Sequence, residues 1–472
     1  MNTEKQLSVA PCMSRSISAP AHLYGQLCLL LALVLAVGGG GVGAAGANLV
    51  VHLIAIALLA WNGPAVTLPL WRTSPTLSLL AAFTVATPLL QLVPLPPEIW
   101  QSLPGRELEK ESLQLIGQAQ SWRPISVAPA RTVLGLLGLV PAVTVLLLAL
   151  QLPDRRYSML TLIVVGGAVV VALGGVQMTS GGTVLMIYDE TIGSSALFGT
   201  FANRNTSGVF LVIALIALIG RIRLGRNDFL RPMTIVSLGV GIVLCIAIVM
   251  TRSRSAMALT LVPLLYLASR TSRLLRTAYV KRPSRVLLAT FSSILAITFA
   301  VGLLLHGNDR LYSGVVRFDD LQTVRLRIWE DSILSAKRFW PVGAGVGTYD
   351  EVSQIDESIE HLEPTRAGRA HNEMLEQVVE SGILGLVLTI AWISWLGAFT
   401  FKAFAGRHSS TSTAAALILC CLAFQSVLDY PLRNQTLMCT AALLVAVMVG
   451  NSKPAPVKSI SDDCGRGGGH IG

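Results

Sequence analysis

The chain has 472 residues, of which 53% are hydrophobic and 13% charged, with a formal net charge of +10. Soluble domains carry about 25% charged residues, so a soluble multidomain enzyme is excluded for want of polar surface, and the apolar content excludes a disordered chain. The composition reads as an all-α, polytopic membrane helix bundle.

A membrane-crossing helix needs about 20 mostly apolar residues. In chain order that requirement is met over 23–43, 47–61, 75–95, 131–152, 158–177, 205–220, 232–250, 255–269, 285–306, 382–404, 412–429 and 434–450, about twelve spans in all. The run Gly38–Gly41 is expected to end the first helix, since glycine is a poor helix former. Ala45-Gly46-Ala47 looks like a cleavage site, but the polar lead-in is long for a signal peptide, so the first span is read as retained. The expected organisation is a cytoplasmic tail over 1–22, a membrane bundle over 23–306, a large outer loop over 307–381, further spans over 382–450 and a disordered cytoplasmic tail over 451–472.

Basic residues set the orientation. With both termini cytoplasmic, the inner segments hold 20 basic against 5 acidic residues, dominated by RIRLGRNDFLR and RTSRLLRTAYVKRPSR. The net charge is therefore a positive-inside signal, and nucleic acid is not needed to explain it. Three outer segments remain. Pro96–Ala130 is proline-rich and is expected along the membrane surface, while Thr179–Arg204 leads into the sixth span. Gly307–Ser381 carries 8 basic and 14 acidic side chains. Its Val324, Ile328, Trp329, Ile333 and Leu334 recur at helical spacing, so it is expected to form a helical cap. The seven cysteines, Cys12, Cys28, Cys245, Cys420, Cys421, Cys439 and Cys464, avoid that loop and imply neither a disulfide framework nor a thiolate metal site.

Within Pro364–Glu376, His371 and Asn372 stand at the start of a helix, where free N–H groups favour anions and hold a histidine neutral. Arg366 and Arg369 add positive charge as candidate phosphate contacts. Arg325 and Trp329 share a helix face, and arginine suits a diphosphate because its fork matches phosphate oxygens. Spacing alone leaves a plain helix cap and a surface ion pair, such as Arg327 with Asp331, open as alternatives. Arg252 and Arg254 stand at a turn between the seventh and eighth spans, where charge near hydrocarbon is expensive and points to an anionic partner or to snorkelling. Asn203 and Asn205 are placed to bond sugar hydroxyls or to cap the sixth span. Gly343-Ala344-Gly345-Val346-Gly347 lacks dinucleotide and P-loop spacing and reads as a tight turn. No zinc signature or paired-aspartate site is present, and the other histidines, His361 among them, read as isolated.

Taken together, Phe198–Asn205, Thr251–Ala256 and the loop pattern R-x-x-x-W, P-V-G-A-G-V-G-T-Y, H-N-E-M-L-E and E-S-G-I-L-G-L resemble the O-antigen ligase superfamily of bacterial inner-membrane proteins. The resemblance implies a cofactor-free, metal-independent transfer of glycan from an undecaprenyl-diphosphate-linked donor, on the periplasmic face. The acceptor would be a hydroxyl of lipid A-core or of another glycan, and other polysaccharide-assembly membrane proteins are possible partners. By motif match it assigns catalysis to His371, Arg325 and Arg254. Arg252, Asn203, Asn205, Arg366, Arg369, Asn372 and Trp329 are then candidate substrate-binding residues. An exopolysaccharide polymerase of the same superfamily and a lipid-linked oligosaccharide transporter are the alternatives. Transporters usually place charged or helix-breaking residues at mid-membrane, whereas these spans are almost free of ionisable residues at their centres and the charge concentrates in one outer loop.

Overall fold

The computed structural model describes residues 21–41, 44–222, 232–277, 318–361, 368–407 and 409–450. Helix α1 (Ala21–Val37) stops directly before the glycine run. It is followed by α2 (Ala45–Asn62), α3 (Pro64–Thr73) and α4 (Pro75–Gln91). Pro64 and Pro75 each occupy a first helical position, where a missing N–H costs nothing. Ser74 Oγ caps α4 by accepting from Leu77 N at 3.3 Å.

The segment after α4 is more folded than its proline content predicts. A two-stranded antiparallel ladder, β1 (Pro94–Leu95) with β2 (Arg123–Pro124), closes it off. Inside lie α5 (Pro97–Trp100) and α6 (Glu107–Leu115). Trp100 is fully buried there and donates its indole N–H to Ser121 O at 2.9 Å. The all-α expectation holds except for this one ladder among the described residues.

The bundle continues with α7 (Pro129–Leu150), α8 (Arg156–Thr179), α9 (Arg204–Arg221), α10 (Pro232–Met250), α11 (Arg254–Leu259) and α12 (Leu261–Thr277). After the large loop's α13 (Phe318–Arg338) and α14 (Tyr349–Asp356) come α15 (Glu373–Lys402), α16 (Ser410–Leu428) and α17 (Gln435–Val449). Helix α9 is the hub and packs on α8, α10, α11 and α16; α17 packs on α7 and α16, and α13 on α14 and α15.

Seven described helices are long and apolar enough to cross a membrane, namely α2, α7, α8, α9, α10, α15 and α16. Three shorter apolar helices, α1, α4 and α17, occupy further positions where spans were expected. The chain is a multi-pass membrane protein. Two of the expected spans fare differently. The segment 255–269 is broken at Thr260 into α11 and α12, because Pro263 has no N–H for Leu259 O and its ring crowds that carbonyl. The segment 285–306 lies outside the described residues.

Helix α15 is long because two stretches join across a kink. Gly382 there has φ 54° and ψ −135°, so the helical ladder is interrupted. The groups freed by the break are taken up by the glycine-rich turn, with Ala344 N on Val379 O at 2.9 Å, Gly345 N on Glu380 O at 2.8 Å and Ile383 N on Pro341 O at 2.9 Å. Buried Gln91 at the end of α4 completes the joint, donating to Glu380 O and accepting from Val346 N, both at 2.8 Å. A Cβ at Gly382 would fall 2.0 Å from Pro341 O. Gly382→Ala is therefore expected to destabilise the protein by about 2–4 kcal/mol, through both the φ and the clash. Thermal unfolding of the purified protein in detergent measures it.

Candidate active site

The site forms where four helix ends meet. These are the starts of α9, α11 and α15 and the end of α16. Asn372 caps α15, its side chain accepting from Leu375 N at 3.1 Å. His371, one residue earlier, has φ 48°, a left-handed conformation that a non-glycine residue adopts only where its surroundings impose it. They do so through Glu376 Oε1, which accepts from Ala370 N at 3.0 Å, and through the indole N–H of Trp329 on α13, which donates to Ala370 O at 2.9 Å.

So held, His371 turns towards α16. Its Nδ1 lies 3.1 Å from Oδ1 of Asp429, the residue that ends α16 and is only 3% exposed. Oδ2 of Asp429 accepts from Asn205 Nδ2 at 2.8 Å, and Asn205 Oδ1 accepts from Ser253 Oγ at 2.9 Å. Burial alone would raise the Asp429 carboxyl. The His371 hydrogen bond, the Asn205 donor and the Arg325 guanidinium outweigh burial and hold it below the ordinary aspartate range. With Nδ1–H donating to the carboxylate, Nε2 is the ring nitrogen left to accept a proton. The Tyr430 ring packs 5.1 Å from the imidazole, and burial together with the Asp429 charge raises its phenol, which stays neutral.

Beneath His371 lies a buried ion network. Glu373, Glu376 and Glu380 share one face of α15 and are 8%, 0% and 0% exposed. Arg433, from the turn between α16 and α17, reaches Glu380 Oε2 at 2.6 Å and Glu376 Oε2 at 3.4 Å. Burial would lower that guanidinium, but the three carboxylates overcome it and raise it. Among the described residues no cluster of His, Cys, Asp or Glu is arranged to hold a metal ion.

The expected site residues are distributed as follows. His371 is the centre. Arg325 on α13 is half-buried and close enough to stabilise the Asp429 charge. Arg252, at φ 55°, and Arg254 flank Ser253, whose Oγ caps α11. Asn203 caps α9, while Asn205 bridges Asp429 and Ser253. Trp329 anchors the His371 segment and Asn372 caps α15. Arg369, a candidate phosphate contact, is paired with Glu376 at 3.2 Å and lies over Tyr430. Arg366 lies outside the described residues. His361 is not isolated, because its Nδ1 sits 3.0 Å from Asp331 Oδ2, and Ser358 Oγ donates to Oδ1 of the same carboxylate at 2.8 Å. Asp331 is thus engaged by His361, the partner that spacing along α13 does not reveal.

Sequence reasoning missed Asp429, Arg433 and the three buried glutamates. Carboxylates at i, i+3 and i+7 on a helix that continues into an apolar stretch were the available signal, since such a face needs a buried cation. Two outcomes follow from the geometry. Asp429 has a depressed carboxyl in the folded state, so its contribution is present above the unfolded pKa of about 3.9 and is lost as pH falls through the lower folded value. Asp429→Asn should therefore flatten the acid side of the stability–pH profile measured by thermal unfolding. Arg433→Ala strands buried carboxylates and is expected to cost about 3–5 kcal/mol, read as a loss of folded protein in detergent.

Residues 239–390 match a family model described as O-antigen ligase. The stretch contains Arg252, Arg254, Arg325 and His371, whereas Asn203, Asn205, Asp429 and Arg433 lie outside it. Exopolysaccharide production protein ExoQ of Rhizobium meliloti (strain 1021) is 27% identical over 214 residues, 43% of this chain and 46% of the relative. The match thus spans about half the length of that relative. Family model and relative support the O-antigen ligase superfamily to which the motifs in the sequence point, through the domain at 239–390.

Proposed function

We propose that the protein is an inner-membrane glycosyltransferase. It moves a glycan from an undecaprenyl-diphosphate-linked donor to a hydroxyl of lipid A-core or of another glycan, on the periplasmic face and without a metal. The observation that carries this reading is the His371–Asp429 pair, set among Asn205, Ser253 and the Arg325 charge.

In this reading Nε2 of His371 takes the proton of the acceptor hydroxyl as general base, while Asp429 fixes the imidazole. The hydroxyl oxygen attacks the anomeric carbon and the bond from that carbon to the phosphate oxygen breaks. Undecaprenyl diphosphate leaves with the bonding electrons, and Arg325, Arg254 and Arg252 neutralise its growing charge. A single displacement of this kind inverts the anomeric centre. Donor and acceptor are both tethered to the membrane, so positioning supplies much of the rate.

The name of the relative, an exopolysaccharide production protein, favours the second of these acceptors, a growing glycan, and with it an exopolysaccharide polymerase. Single replacement of His371, Arg325 or Arg254 by alanine is expected to abolish restoration of surface glycan in a deletion strain, with the protein still inserted. Full restoration by all three variants would overturn the proposal. The deletion strain also separates the two acceptors: accumulated lipid-linked polymer with uncapped lipid A-core marks a ligase, and accumulated single repeat units mark a polymerase.

A further inference from the structure

We propose that Asn205 is a positioning residue that holds the Asp429–His371 pair in register with the arginine turn, rather than a contact for substrate. The inference deepens the functional reading above and rests on it.

Both ends of the Asn205 side-chain amide are committed to protein. Nδ2 donates to Asp429 Oδ2 at 2.8 Å, and Oδ1 accepts from Ser253 Oγ at 2.9 Å. The helix-capping role belongs to Asn203, whose Oδ1 accepts from Asn205 N at 2.8 Å, so the side chain of Asn205 is not needed to start α9. The amide supplies what each of these two neighbours takes, a donor for Asp429 and an acceptor for the Ser253 hydroxyl. Ser253 in turn lies between Arg252 and Arg254, and its Oγ is 3.3 Å from Ser255 Oγ, which accepts from buried Gln425 Nε2 at 3.1 Å. One chain of hydrogen bonds therefore runs from the imidazole through Asp429, Asn205 and Ser253 to the turn that carries the two arginines. It returns through Ser255 and Gln425 to α16, the helix that Asp429 ends.

Two consequences are physical. Asn205 leaves Oδ1 of Asp429 as the oxygen that faces His371, and it supports the ionised carboxylate with a donor. It also sets the distance between the group that handles the acceptor proton and the charges that meet the diphosphate. A site tied in this way is held in the geometry needed for transfer and pays little reorganisation when the reaction occurs.

The test uses the full-length protein in proteoliposomes, with donor lipid extracted from a deletion strain as the probe. Asn205→Asp keeps the size and the acceptor for Ser253 but replaces the donor with a charge facing Asp429. It is expected to lower kcat about tenfold or more with KM for the donor lipid nearly unchanged. Asn205→Ala is expected to lower kcat less, and to add nothing further when Asp429 is already alanine, because the two act as one unit. An increase in KM alone, or full additivity of Asn205→Ala with Asp429→Ala, would overturn the inference and mark a substrate contact. Should Asn205→Asp not insert, the alanine cycle decides the matter. His371→Ala distinguishes the two levels. If it retains full transfer, the functional reading fails; if it is inactive while Asn205→Asp has the unchanged kcat of the native protein, only the positioning role fails.

Discussion

The arrangement of the whole site depends on one buried carboxylate. Glu376 is fully buried, and a lone charge so placed costs several kcal/mol. Its cost is offset by Arg433 at 3.4 Å, Arg369 at 3.2 Å and the backbone N–H of Ala370 at 3.0 Å. These partners come from either side of the His371–Asp429 pair. Ala370 immediately precedes His371, and Arg433 follows Asp429 by four residues. Satisfying one carboxylate thus fixes the separation between the segment that carries the imidazole and the turn that carries its partner. The left-handed backbone at His371 is a consequence of that arrangement.

The second constraint is the kinked helix that carries Glu376. A straight α15 would leave no place for the loop 341–346, and a broken one would expose carbonyls with no partner. The glycine-rich turn and Gln91 supply the missing partners, so the break is closed by hydrogen bonds on several sides. The glycine-rich turn is thereby tied to α4, and the Trp329–Ala370 bond ties α13 to the segment that leads into α15.

Much of the helical layout was legible in the sequence, because long apolar runs leave few alternatives for a backbone that must satisfy itself in lipid. The end of α1 at the glycine run and the capping of α9 and α15 by Asn203 and Asn372 follow from local rules. The residue types and the motif order around His371 could also be read directly. Pairings between distant elements could not. Asp429 is 58 positions from His371, and no periodicity within either helix reports that contact. The ion pair of Arg369 with buried Glu376 was equally hidden, since nothing in the polar stretch that carries the arginine reports it. The break at Thr260 was missed because hydropathy averages over Pro263, whose effect is steric.

The position of α9 has a consequence for how the protein experiences its membrane. Within its membrane-length window 83% of residues are buried, against 17% for α2, α10 and α15. Changes in bilayer thickness act on the lipid-facing helices, which can tilt to accommodate mismatch. The central rod that bears Asn203 and Asn205 is shielded from acyl chains by its neighbours, so the floor of the candidate site keeps its shape when the lipid composition of the membrane changes.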